Sequence, residues 1–344
     1  MRLESARELK QELTGVLKDT GLAQSFAVLG TAGVAHEGRI LKPRISRKAR
    51  TGPPQGIAIG ITPSRTKSGH KLALRLQDPT PEAHQYAAYA AGKARDEIDI
   101  QYVGAISAGQ PAPASGYERR VRPLQPGYSV GHYRITAGTL GGFVRDARKR
   151  LGILSNNHVL GNTNAGKRGD DILQPGAYDA GRRPGDVVAA LERLVRLKAG
   201  SNAVDAAWAV IDSSLVKVNP RYGTRKLGAA RPAEEIVSAA AVWKIGRTTG
   251  LTRGTISAIE LDHVAVGYDK ATYSFDGQIE VVGDEGPFSE GGDSGSFILG
   301  SDDAGVALLF AGSEEGGPKG SGRTYATPLE TALSLLGLEL ALES

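Results

Sequence analysis

One short stretch of the sequence suits a nucleophile: SEGGDSGSF, Ser289–Phe297. A serine attacks a carbonyl from a tight turn that exposes its hydroxyl and aims backbone N–H groups at the developing oxyanion. Glycines at 291, 292 and 295 permit such a turn because they tolerate unusual backbone angles. Ser294 is then the candidate nucleophile, with the N–H groups of Gly292 and Ser294 as oxyanion donors. An ordinary Gly/Asp/Ser turn has the same composition, so the serine needs corroboration from a base. The chain has six histidines, and His158 stands out in GILSNNHVLGN. It follows an apolar run and so sits at the edge of a core, where a general base must be held. The base in turn needs an orienting carboxylate. Asp205, between Val204 and Ala206 in SNAVDAAWAVID, is an acid inside an apolar strand. Such a group is costly to bury unless it is paired, and an imidazole N–H would pair it while fixing the tautomer. Asp212 is the nearest rival, but it ends its apolar run and reads as exposed.

The order is His, Asp, Ser, with separations of 47 and 89 residues. That order differs from the Asp, His, Ser and Ser, Asp, His arrangements found on other hydrolase folds. The G-x-S-x-G elbow also fails, because position 296 is Ser. Gly161–Lys167 matches the first seven positions of a phosphate-binding loop, but Arg168 stands where Ser or Thr would hold the metal. With no cysteine and no paired histidines at ligand spacing, the sequence indicates no metal site and no cofactor.

The elements that must carry these residues are short. From Tyr128 to about Thr327, short apolar runs alternate with Gly-rich turns, and the chain holds 46 glycines. This pattern predicts an all-β barrel or sandwich. KIGRTTGLTRGTI, Lys244–Ile256, reads as two strands joined by a turn at Thr248, Thr249 and Gly250. Its expected role is structural, with contact between Arg247 and substrate as the alternative. The chain ends in PLETALSLLGLEL, a short amphipathic helix. Ahead of residue 126 the pattern changes. Residues 4–20 read as a helix with Ser5 and Glu8 at capping-box spacing and Gly21 as a stop. Residues 39–50 carry six basic residues and no acidic one; no aromatic interleaves them, so a solvated linker is expected rather than a phosphate-binding arm. Gly56–Ile61, Lys71–Gln77, Glu82–Ala94 and Glu97–Ile106 read as strand, strand, helix and strand. The expected organisation is 1–54, helix and basic linker; 55–107, a small α+β domain; 108–125, a linker marked by GQPAPASG; and 126–344, the β-rich domain with the C-terminal helix.

The net charge of +5 is a mild excess that does not call for nucleic acid. No stretch is apolar enough to span a bilayer, and residues 1–21 lack the apolar core of a signal peptide. With no cysteine, the expected setting is the cytoplasm.

LSNNHVLG, NAVDAAWAV and GGDSGSF resemble the three active-site segments of chymotrypsin-like (trypsin-fold) serine proteases. Together with TAGTLGGFVRD, ILQPGAYD, KIGRTTGLTRGTI and FSEGGDSGSF, they resemble a cysteine-free intracellular branch found in bacteria and, in plants, as the narrow-leaf type. Its members also carry an N-terminal α+β region. The resemblance implies a mainly β, double-barrel protease domain with the site between the barrels and a protein or peptide as substrate. It implies Phe288 at the floor of the primary pocket, which argues against a preference for Lys or Arg, and Phe310, Ala311, Gly312 and Ser313 as a wall facing the substrate backbone. Secreted relatives are activated when a newly freed N-terminus pairs with the acid that here is Asp293. Either Asp293 has another partner, or an effector or homo-oligomerisation orders the loop. A protease fold without turnover, acting as a scaffold, and a dormant protease switched on through the N-terminal region are the alternatives.

Overall fold

The computed structural model describes residues 1–19, 56–64, 69–112, 116–135, 137–269 and 271–343. The basic stretch 39–50 and Gly21 lie outside these. The protein is mainly β, with two sheets of thirteen and eight strands. Within the larger sheet, the strands Ala241–Gly246, Gly250–Asp262, Gln278–Gly283, Gly322–Pro328, Gly305–Gly316 and Phe297–Gly300 pair in sequence. The last returns to the first, so they close a barrel. The other sheet wraps into an open half-barrel that holds Leu151–Ser155 and Ala207–Val210 side by side.

Alternation sets the inward faces. In Gly250–Asp262, Ile256, Ala258 and Leu261 are buried, as expected for strands with one face on a core and a register shift between them. Each barrel has its own apolar core, Ile153, Ile172 and Leu191 in the half-barrel and Ile256, Val281 and Ile298 in the closed barrel. A third cluster joins them. Trp208 and Leu154 from one side meet Trp243, Phe297 and Leu308 from the other, with Leu329 and Leu333 of the C-terminal helix Leu329–Leu336. This seam fixes the barrels against each other. Beyond the helix, Leu338–Leu340 forms a strand beside Gly142–Asp146, where sequence periodicity suggests more helix.

The expected strand, strand, helix, strand unit is present as Ile57–Pro63, His70–Leu76, Pro81–Lys93 and Ile98–Tyr102. Thr80 caps the helix by accepting from Ala83 N, and Pro81 occupies its first turn. Helix Leu3–Asp19 packs on this unit through Leu13, beside Ile59, Leu74 and Tyr86. It starts at Leu3, which places Ser5 inside the helix rather than at a cap. The unit is not a separate layer. Ile57–Pro63 pairs antiparallel with Gly250–Asp262, so the sheet of the closed barrel runs on into it. The strand expected over Glu97–Ile106 is broken at Gly104, whose φ of 67° lies in the left-handed region that favours glycine. Past that turn, Ile106–Ser107 leaves the N-terminal strands and joins the far side of the large sheet.

Candidate active site

His158 lies on a single helical turn, Asn157–Leu160, directly after the strand Leu151–Ser155. The apolar strand ends in the core, and the buried Asn156 and Asn157 after it anchor the turn by donating to Asp205 O and Val195 O, each at 2.8 Å. Asp205 lies two residues before the start of the neighbouring strand, Ala207–Val210, and Ala207 pairs with Ser155. This register sets acid and base side by side although 47 residues separate them. His158 Nδ1 is 2.5 Å from Asp205 Oδ2, and His158 N donates to Oδ1 at 3.2 Å. Asp205 is fully buried, so its carboxylate depends on these donors.

A further donor is Tyr268, whose hydroxyl is 2.7 Å from Asp205 Oδ2. Its ring meets the imidazole edge-on with centroids 5.6 Å apart. Burial, and next the charge of Asp205, holds the phenol well above its ordinary pKa, so it stays a donor. Sequence reasoning missed Tyr268 because it comes from the loop after Val264–Gly267, far from the motifs. A lone tyrosine in a Gly-Tyr-Asp loop carries no signal at the sequence level. Asp212, the rival acid, bonds Ser214 on the exposed surface and is not part of this cluster.

Ser294 lies across the seam, in the turn before Phe297–Gly300. Gly292 and Gly295 have φ of 99° and 95°, the region that favours glycine. At Gly295 a Cβ would meet Ser155 Oγ at 2.0 Å. The turn is tied to the half-barrel by Thr139 N donating to Ser294 O (2.8 Å) and Thr139 Oγ1 to Gly292 O (2.9 Å). Gly291 O accepts from Thr248 Oγ1 at 2.7 Å and from Ala112 N at 2.9 Å. In a trans peptide the Gly292 N–H then points away from them. Among the described residues neither the Gly292 nor the Ser294 amide donates a hydrogen bond. His158 and Ser294 line one cleft of about 450 Å³, with Ile135, Val159 and Tyr178 on its wall. Ser294 Oγ here donates to Phe310 O at 3.4 Å rather than to the imidazole.

Asp293 has an internal partner. Lys244 Nζ, fully buried, is 3.2 Å from its Oδ2. The amides of Thr248 (2.8 Å) and Thr249 (3.2 Å) donate to Oδ1. Burial pushes Lys244 below its ordinary pKa, opposed by the charge of Asp293. The turn at Thr248–Gly250 therefore anchors the nucleophile loop. Arg247, in the same turn, is buried against Asp179, with Nε 3.0 Å from Oδ2.

The expected pocket floor is placed differently. Phe288 is buried in the closed barrel among Ile256, Val281 and Ile298 and does not line the described cleft. Its ring fills the space that Gly254 leaves, where a Cβ would meet Phe288 Cδ2 at 2.7 Å. Phe310 turns its ring inward onto Phe275, 4.7 Å between centroids, and offers only its carbonyl to the site. Ala311 is buried beside it. Gly312 and Ser313 are paired with Ser107 and Ile106 of the same chain.

A closed barrel and a half-barrel with this site at their seam make the protein a trypsin-like double β-barrel. No protein-family model matches the chain, and no curated protein matches it. Solved structures similar to it include protease A of Thermobifida fusca (20% identity, TM-score 0.44, 64% of this chain and 100% of that chain). Cellulomonas bogoriensis chymotrypsin is another (19%, TM-score 0.43, 64% and 100%). The HtrA-type protease AlgW with decapeptide is more remote (20%, TM-score 0.33, 58% and 51%). Likenesses this distant carry no function, which rests on the residues themselves.

Proposed function

We propose that the protein is a serine endopeptidase that hydrolyses peptide bonds through an acyl-enzyme. The observation that carries this reading is the buried Asp205 carboxylate held 2.5 Å from His158 Nδ1, with the same imidazole and Ser294 facing one cleft. Asp205 and Tyr268 fix the ring with Nδ1 protonated, leaving Nε2 free to take a proton. In the reaction, Ser294 Oγ attacks the substrate carbonyl carbon while His158 Nε2 accepts the hydroxyl proton. The carbonyl oxygen becomes an oxyanion facing the Gly292 and Ser294 amides. Collapse of the tetrahedral adduct breaks the C–N bond, and His158 returns the proton to the leaving amine. Water then repeats the sequence on the ester and frees Ser294.

The Lys244–Asp293 pair supports a nucleophile loop ordered without a newly cut N-terminus. No helix among the described residues is long and apolar enough to cross a membrane. The lack of cysteine supports a reducing, cytoplasmic setting. A fluorophosphonate probe tests the reading. The wild-type chain should be labelled at Ser294, and labelling no stronger than that of Ser294→Ala sinks the proposal in favour of a scaffold without turnover.

A further inference from the structure

The large sheet is continuous only because Ile106–Ser107 fills a position between two of its strands. It pairs parallel with Val264–Gly267, at Val266↔Ile106 and Gly267↔Ser107. It pairs antiparallel with Gly305–Gly316, at Gly312↔Ser107 and Ser313↔Ile106. Adjacent strands lie about 4.8 Å apart, so these neighbours flank a slot about 10 Å across, the width of one strand.

The segment then runs past the candidate reacting groups. Ala108 N donates to Gly267 O at 3.1 Å. Gln110 Nε2 donates to Asp269 Oδ1 at 3.0 Å, and Arg247 donates to Ala112 O. Ala108, Gly109 and Gln110 share the cleft wall with His158 and Ser294. Contact with the nucleophile turn is close, since a Cβ on Gly291 would meet Gln110 O at 1.8 Å.

A peptide that reaches Ser294 in an extended form must add to the strand beside it. Phe310 O is that strand's point of contact with Ser294 Oγ. Gly312, two residues on and past a register shift between Leu309 and Ala311, pairs with Ser107. This edge already carries Ser107, and one edge accepts one strand.

We infer that Ile106–Ala112 is the resident occupant of a peptide-binding slot and competes in cis with extended peptide substrates. The inference rests on the peptidase reading of Ser294. Ile106 is seated among Val266, Phe275 and Phe310. The small residues Ser107, Ala108 and Gly109 hold the positions a substrate would place ahead of the bond under attack. The ligand class is therefore an extended peptide with a β-branched apolar residue followed by small ones.

The test uses the full chain carrying Ser294→Ala and a fluorescent peptide with the sequence of residues 104–112. Gln110→Glu sets a carboxylate against Asp269, and Ala108→Pro deletes the N–H that Gly267 O accepts. Each should tighten peptide binding at least about tenfold over the parent, read by fluorescence anisotropy, since pairing worth about 1.4 kcal/mol is a factor of ten. Equal affinity in parent and both folded variants overturns the inference. Amide exchange on the unaltered chain decides it independently of any variant. Ile106–Ala112 should open locally and exchange at least about a hundredfold faster than Leu308 and Leu309, as a displaceable segment does; equal protection marks a permanent strand and overturns the inference. Peptide binding reads the slot alone. Failure of the peptidase reading shows separately, as missing fluorophosphonate labelling with Ser294 intact.

Discussion

Asp205 is the residue on which the site's chemistry turns. It is buried and accepts from His158 Nδ1, His158 N and Tyr268 Oη. Asp205→Asn keeps the volume but offers an amide donor where the imidazole needs an acceptor. By analogy with the well-studied triad, turnover should fall about 10⁴-fold, measured on a peptide substrate with the fold checked by circular dichroism. Near-normal turnover would remove Asp205 from the mechanism. Tyr268→Phe deletes one donor to Oδ2 and leaves the carboxylate short of a partner. A cost of about 1–3 kcal/mol is typical for such a loss. The expected outcome is a lower Tm together with roughly tenfold slower labelling of Ser294. An unchanged labelling rate would limit Tyr268 to packing.

At the scale of elements, the nucleophile loop depends on the turn between Ala241–Gly246 and Gly250–Asp262. Lys244 and the amides of Thr248 and Thr249 converge on Asp293. Lys244→Met removes the cation and leaves a buried carboxylate unpaired. Breaking a buried pair on one side typically costs about 3–5 kcal/mol, so Tm should drop sharply and labelling of Ser294 should slow as the loop loses its anchor. A stable variant with wild-type labelling would show that the two threonine amides and the Thr249 hydroxyl, 2.7 Å from Asp293 Oδ2, suffice. The loop's role was only half legible in sequence. The Thr-Thr-Gly turn reads as a turn, but nothing local says that its amides face an aspartate 45 residues later.

For the whole molecule, the N-terminal unit is joined to the closed barrel by a buried ionic cluster as well as by strand pairing. Glu280 is fully buried. It accepts from Arg75 Nε at 2.8 Å, from Arg323 and from Ser257 Oγ at 2.8 Å. Burial opposes ionisation, but the two guanidiniums prevail and hold the carboxyl down at about 2. The folded value lies below the ordinary 4.5, so the stabilisation is complete above that pH and is lost as pH falls towards 2. The size is on the order of 3 kcal/mol, since each tenfold change in proton affinity is worth about 1.4 kcal/mol. Thermal unfolding followed from pH 5 to pH 2 should show this acid limb, and Glu280→Gln should flatten it while lowering Tm at neutral pH. An unchanged limb in the variant would assign the acid sensitivity elsewhere.

By itself the sequence determined what local physics can specify. Gly-rich turns between short apolar runs placed the β-rich region, the glycines of Ser289–Phe297 marked a turn built for a serine, and an acid inside an apolar strand demanded a partner. The strand, strand, helix, strand order of residues 57–102 followed from short apolar runs and an Ala-rich stretch. Tertiary structure alone decided the rest, because long-range register has no local signature. The pairing of Ala207 with Ser155 brought Asp205 to His158. The space at Gly254 drew Phe288 into the core instead of the pocket. A positive φ at Gly104 sent Ile106–Ser107 to the edge beside Ser294, so that Ala108, Gly109 and Gln110, which read as the start of a linker, lie along the cleft.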